Sequence, residues 1–364
     1  MTYCQYTLEN KPLVPNELKA YRWITLKEQN EFVKFLETLG GLTKELLHDD
    51  KLNWCASEFE KYKCTKDANH SRVTRYLACG NRGHCPRCSM AYAHKRASIM
   101  YEWIKTNLAD KLSFDLKINQ IVLTLPEKLH DIDSKMFVRM IKFFMSVFRI
   151  EAYGYCIQNR HSKNPLSEKY LHAHILSLNI RQVENGLVQN DYYFDVDKMR
   201  WVWKSIIKKF TGYDFDGNVN LHTEYASILN AKDAVLHILA YLYRYPIQDL
   251  FQVQIRDKSI NYLEGLQIEC TDHTKHTLQL ELSSKVFELA QEAKPRLVWC
   301  GLLSSRSREL LLKLIGVSKS LWKNLVDVEK ELDSRSKFCR DCGSPLEIVP
   351  YDRGKYEGDN EPAF

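Results

Sequence analysis

Two histidines, His172 and His174 in "YLHAHILSLNI" (170–180), sit inside a run that otherwise reads as a buried strand. Side chains at i and i+2 of a strand point the same way. Two imidazoles therefore project from one face, which Leu176 and Leu178 continue. Rings so spaced can converge on one divalent cation; the competing reading is a pair of partly buried structural histidines. Further along, "HILAYLYRYP" carries Tyr241 and Tyr245. On a helix, spacing i, i+4 stacks both phenols on one face, with His237 one turn earlier and Arg244 adjacent. Aromatic packing of an amphipathic helix is the plain alternative. Together, metal-competent histidines and paired tyrosines suit one reaction. A cation polarises a DNA phosphate and a tyrosine oxygen attacks phosphorus. The phosphotyrosine ester conserves the energy of the broken bond for a later 3′-OH to reseal it, and a second tyrosine allows a second transfer.

A separate signal lies upstream in "CGNRGHCPRCSMAYAHKRA". Cys85 and Cys88 form a C-x₂-C knuckle, with Cys64, His70 and Cys79 before it. Thiolate and imidazole at such spacing read as a closed structural Zn²⁺ site. Five candidates, with His84 beside them, compete for four positions. Cys339 and Cys342 in "CRDCG" make a half-knuckle with no second pair after it; they either borrow ligands from elsewhere or are a remnant.

Charge is concentrated in the same region. Residues 61–100 hold Lys61, Lys63, Lys66, Arg72, Arg75, Arg82, Arg87, Lys95 and Arg96 against Asp67 alone. Of the net +6, this segment supplies +8. Such a patch suits a polyanion, with Arg72, Arg75, Arg82, Arg87, Lys95 and Arg96 as candidate DNA contacts; a merely solvated surface is the alternative.

The elements that must position these residues follow from periodicity. Residues 16–50 read as two helices broken at Gly40 and Gly41. "KINQIVLTLP" (117–126) is a buried strand stopped by Pro126, "SKMFVRMIKFFMSVFRI" (134–150) an apolar helix, and "AYGYCIQN" (152–159) a second strand. The histidine strand follows a polar loop. "DVDKMRWVWKSIIKKF" (195–210) is an amphipathic helix and "GNVNLHTEYASI" (217–228) a strand. A further helix starts near Asn230, as N-cap, with Asp233 in its first turn, and runs to Pro246. The region 256–335 reads as strand then helix. This order predicts an α+β fold: an antiparallel sheet with helices on one side. The expected segments are 1–54 helical, 55–105 zinc-binding and basic, 106–255 catalytic, 256–335 accessory, and 336–364 a half-knuckle with an acidic tail.

With 364 residues, 45% of them apolar and 27% charged, the chain can bury a sizeable core. It shows no signal-peptide pattern and no apolar run approaching the roughly 18 residues that span a bilayer. Eleven cysteines is an odd count for a disulfide framework, so a reducing cytoplasmic setting is expected, away from membranes. No P-loop sequence occurs, so no ATPase of that kind is carried.

These residues resemble the HUH endonucleases, specifically the rolling-circle replication initiators of small plasmids and phages, and the related two-tyrosine transposases. "LHAHIL" is similar to the HUH strand, "YLYRY" to the two-tyrosine helix and "IVLTLP" to the first sheet strand. The cysteine segment resembles one that precedes that domain, and "PRLVWCGLLSS" with "CRDCG" a transposase-type C-terminal part; the likeness covers roughly residues 60–345. It implies that His172 and His174 bind catalytic Mg²⁺ or Mn²⁺, with Gln158 as third ligand and His237 and His161 as rivals. Tyr241 and Tyr245 would be nucleophiles and Arg244 a phosphate or tyrosine partner. The implied activity is site-specific nicking and joining of DNA through a 5′-phosphotyrosine. Single-stranded DNA and double-stranded origin DNA would be substrates, and a host helicase, single-strand-binding protein and polymerase would be partners. A transposase with the same chemistry is the nearest alternative, and a non-catalytic zinc-containing DNA-binding regulator the next.

Overall fold

The computed structural model describes residues 24–43, 52, 55, 59–70, 73–76, 79–167, 169–184, 186–190, 195–214, 221–264, 272–292, 297–339 and 341–348. Its elements begin with α1 (Leu26–Leu39), β1 (Phe59–Cys64), β2 (Val73–Tyr76), α2 (Pro86–Asn107), β3 (Lys117–Thr124) and α3 (Ser134–Val147). Next come β4 (Ala152–Gln158), β5 (His172–Leu178), a small hairpin of β6 (Ile180–Val183) and β7 (Gly186–Gln189), α4 (Val196–Thr211) and β8 (Leu221–Ser227). The chain continues through α5 (Lys232–Leu242), α6 (Pro246–Phe251), α7 (Asp272–Ala290), β9 (Val298–Gly301), α8 (Arg308–Leu314), α9 (Leu325–Arg335) and β10 (Leu346–Ile348).

The fold is α+β, built on a five-stranded antiparallel sheet in the order β8-β3-β5-β4-β9. The histidine strand β5 is central, and all seven of its residues are buried. Strand alternation sends Ile121, Leu123, Ala173 and Ile175 to one face, where they meet Phe137, Ile141 and Phe144 of α3 and Trp203 and Ile206 of α4. Each such large side chain contributes on the order of 1.5–3 kcal/mol when fully buried. Trp203 also donates its indole N–H to the carbonyl of Thr124 at 2.7 Å, which fixes α4 to the end of β3. Helix α4 starts where Asp195 accepts from the amides of Asp197 and Lys198, and ends at Gly212 in a left-handed conformation.

The opposite face carries Ile118, Leu176 and Leu178, and it is not bare. Helices α2 and α5 cover it with Met100, Ile104, Ile238 and Leu239. Helices therefore lie on both sides of the sheet, not one. The cysteine segment supplies the second layer, because its knuckle opens the long helix α2.

Three local expectations also change. Helix α5 begins after Ala231, which makes no side-chain cap, so Asn230 lies outside it. Helix α1 ends at Gly40 as expected, whereas the second expected helix falls mostly outside the described residues. In the region 256–335 a helix, α7, precedes the strand β9. The segment expected to be accessory thus adds the edge strand beside β4. Likewise β10 pairs with β1, so part of the tail joins the sheet β10-β1-β2 near the other end of the chain. Among the described residues, no helix is long and apolar enough to cross a membrane.

Gly301 closes β9 against Glu151. Its φ is +57°, and a Cβ there would lie 1.8 Å from the Glu151 carbonyl oxygen. Neither the backbone nor the space accepts a side chain. Gly301→Ala is therefore expected to cost about 2–4 kcal/mol, read from urea unfolding midpoints. An unchanged midpoint would mean that β9 can leave the sheet edge without loss.

Candidate active site and cysteine clusters

The register of the sheet builds the site. Thr124, His172 and Gln158 face each other across β3, β5 and β4; Val122, His174 and Cys156 form the next row. His172 and His174 are 5% and 2% exposed. Their Nε2 atoms are 3.1 Å apart. The outer nitrogens are both engaged: His172 Nδ1 lies 3.0 Å from the Tyr170 carbonyl, and His174 Nδ1 lies 3.1 Å from Gln120 Nε2. A carbonyl only accepts, so His172 carries its proton on Nδ1 and leaves Nε2 as a lone pair aimed at its neighbour. Burial lowers the His172 pKa to about 4, opposed by the Tyr170 carbonyl and aided by His161, His130 and Arg244. The ring is neutral at neutral pH, as a metal ligand must be.

Helix α5 brings Tyr241 onto this pair. The Tyr241 ring stands 4.8 Å from that of His174, and the Arg244 guanidinium lies 4.2 Å above the phenol. Arg244 is ion-paired to buried Asp249. Burial pushes the Asp249 carboxyl up to about 6 against the pull of Arg244, so at neutral pH it is ionised and holds the guanidinium over the ring. His172, His174 and Tyr241, together with His161, Ser162, Lys163, Tyr170, Glu224 and His237, border a cleft of about 280 Å³.

The expected residues divide here. His172, His174, Tyr241, His237 and His161 share the cleft, with Arg244 directly behind Tyr241. Gln158 lies beside His172 in register, yet it is not part of the cleft wall. Gln120 and Glu224, paired across β3 and β8, line the wall instead. The polar pair Asn119–Gln120 inside an apolar strand is the one clue to this that the sequence holds.

Tyr245 does not stack above Tyr241. Helix α5 ends at Leu242, and Tyr245 is extended, with φ −86° and ψ 151°, as the residue before α6. A residue preceding proline is driven out of the helical region by the ring that follows, and here Pro246 supplies that ring. Tyr245 instead packs edge-on against Tyr92 of α2, with ring centroids 5.9 Å apart, and burial raises its pKa. Tyr243 is core as well, pushed up to about 12 by burial.

The cysteines also sort differently from expectation. Cys79, Cys85 and Cys88 gather with Cys55, not with Cys64 and His70. Contacts of 3.5 Å for Cys55–Cys88, 3.4 Å for Cys79–Cys88 and 3.6 Å for Cys55–Cys85 join the four sulfurs. Tetrahedral Zn–S bonds of about 2.3 Å imply S–S edges of about 3.8 Å, so the set is nearly the right size for one ion. Cys85 caps α2, and Pro86 sits in its first turn. Gln29 of α1 donates to Cys85 Sγ at 3.6 Å. Bonding from Cys79, Cys85 and Cys88 drives the Cys55 pKa down, while that of Cys88 is pushed up by Cys55 and Cys79. Four sulfurs so close cannot all ionise unless a cation stands among them. Cys64 and His70 meet Cys339 and Cys342 in a second set, and His84 belongs to neither, bonding Asn81. Either set could hold a metal ion such as zinc.

The basic segment is less available than its charge implies. Arg87 is 6% exposed within the first turn of α2. Lys95 bonds Glu329 and Asp333, and Arg96 bonds Glu329, which seats α9 on α2. Arg82 is exposed over Tyr92. Arg72 and the Arg75 side chain lie outside the described residues. Comparison of the chain with protein-family models, with curated proteins and with solved structures finds no match.

The buried His172 ring makes stability depend on pH. Its folded value of about 4 lies below the ordinary 6.5, so protonation favours the unfolded chain. The contribution is complete above pH 6.5 and is lost as pH falls toward 4, on the order of 3 kcal/mol. His172→Gln should flatten the fall in stability between pH 7 and 4.5, measured by urea midpoints without added divalent cation. An equally steep fall would show that this ring is not what acid attacks.

Proposed function

We propose that this protein cuts and rejoins single-stranded DNA through a tyrosine ester, as a rolling-circle replication initiator does. One observation carries the reading: two buried imidazoles converge on the central strand, with the Tyr241 ring set against them in an open cleft. Aromatic packing alone does not explain imidazoles that face each other across 3.1 Å with both outer nitrogens engaged.

In this reading Tyr241 oxygen attacks the scissile phosphorus. A P–O bond to tyrosine forms, the bond from phosphorus to the 3′ oxygen breaks, and the leaving oxygen takes a proton to become a 3′-OH. Attack by a 3′-OH on the ester reverses these changes and returns the phenol. His172 and His174 would hold a divalent cation, with Glu224 as a nearby hard oxygen donor suited to Mg²⁺ or Mn²⁺. When bound, such a cation supplies Lewis-acid polarisation of the phosphate. Arg244 is placed by Asp249 to orient the phenol, and exposed Lys163 at the cleft edge is placed to meet the phosphate backbone. The four-cysteine set would hold structural zinc at the start of α2. Single-stranded and origin DNA are the proposed substrates. A host helicase, single-strand-binding protein and polymerase would complete replication.

Because Tyr245 faces Tyr92, the two tyrosines should differ. With Mn²⁺ and single-stranded oligonucleotides, Tyr241→Phe should lower covalent adduct formation by at least 10³-fold, of the order expected for losing a nucleophile. Tyr245→Phe should form its first adduct within about threefold of wild type. Adducts are read as a shift on denaturing gels. Adduct persisting in Tyr241→Phe and lost in Tyr245→Phe would reverse the assignment; adduct from neither wild type nor variants would leave a DNA-binding protein without this chemistry.

A further inference from the structure

Cys64 and Cys342 are 278 residues apart, yet their sulfurs lie 3.5 Å from each other. Cys339 Sγ lies 3.6 Å from His70 Nδ1. All four ligand atoms fall within 4.8 Å of one another. Three thiols and one imidazole are a common closed zinc set, and the spacing matches tetrahedral edges.

Among the described residues, the contacts around it are mainly backbone hydrogen bonds. Strand β10 has three residues and pairs with β1 through Tyr62–Ile348, Lys63–Glu347 and Cys64–Leu346. Among those two strands and the ligand loops, the buried side chains described are Cys64 and Cys339, two of the ligands. The Lys63–Glu347 ion pair is half exposed, at 40% and 51%, and contributes little. Among the described residues this three-stranded sheet shows no apolar core, and a sheet so built needs a staple.

We propose that Cys64, His70, Cys339 and Cys342 hold a second zinc ion, independent of the first, and that this ion is the clasp that fastens the C-terminal segment to the β1–β2 hairpin. The half-knuckle "CRDCG" thereby completes a site begun far earlier in the chain. The clasp differs from the four-cysteine set in access: Cys342 and His70 are both partly exposed, whereas of the four cysteines Cys79 alone is. Its metal should exchange first.

The test uses the purified full chain. Metal analysis should find two zinc ions per chain in wild type and one in Cys339→Ser/Cys342→Ser. His70→Cys, which replaces one zinc donor by another, should keep two. Trypsin should cut after exposed Lys337 at least tenfold faster in the double variant. If that variant fails to fold, wild type treated with a graded zinc chelator replaces it. One equivalent of zinc should leave first, with faster cleavage after Lys337 and unchanged helical circular dichroism. A single zinc in wild type, two in the double variant, or cleavage after Lys337 that ignores zinc loss would overturn the proposal. None of these readouts depends on nicking, so they stand or fall apart from the proposed enzymology.

Discussion

The contact between His172 and His174 sets the terms for the rest of the molecule. Two imidazoles buried on a central strand are costly unless every nitrogen finds a partner. The outer nitrogens are met by the Tyr170 carbonyl and the Gln120 amide, and the inner two face each other. One proton between the inner nitrogens satisfies them; a cation would do so with both rings bare. The neighbouring structure keeps both states accessible. Gln120 can present its amide nitrogen or its oxygen to His174, and the cleft leaves the rings open on the side where Tyr241 stands.

Helix α2 links this site to the metal clusters. Cys85 caps it and Cys88 lies in its first turn, and its body packs against α5, which carries Tyr241. Ser89 donates to Gln248 of α6 at 3.2 Å, and Tyr92 takes the Tyr245 ring. On its outer side, Lys95 and Arg96 hold α9. A metal at the start of α2 therefore bears on where the tyrosine helix sits, although none of the clustered cysteines lines the cleft. The basic residues near the knuckle serve this packing first. That accounts for why Arg87, Lys95 and Arg96 are engaged within the fold.

Much of the sheet was legible because strand period is local information. The same-face placement of His172 and His174 follows from alternation alone, and the strands from 117, 152 and 217 were bounded by their own turn residues. What alternation cannot supply is register between strands distant in sequence. Gln120 and Glu224 entered the site only once β3 had been set between β5 and β8. Tyr245 was misplaced for a local reason that was available: Pro246 forbids the helical conformation just before it, so the i, i+4 stack could not form. Cys55 has no knuckle partner nearby, and Cys339 with Cys342 meets Cys64 through the pairing of β10 with β1. Ligand sets assembled by long-range topology leave half-motifs in the sequence. The edge strand β9 was hidden in the same way, inside a region whose helix comes first.

The claim on which the account rests is that the histidine pair holds a divalent cation. Mn²⁺ titration followed by electron paramagnetic resonance tests it directly, on protein with its zinc retained. The account predicts one bound Mn²⁺ per chain, with nitrogen hyperfine coupling that disappears in His172→Ala and in His174→Ala while the fold persists by circular dichroism. Mn²⁺ bound without nitrogen coupling, or bound equally well by both variants, would contradict it and return the two rings to the core.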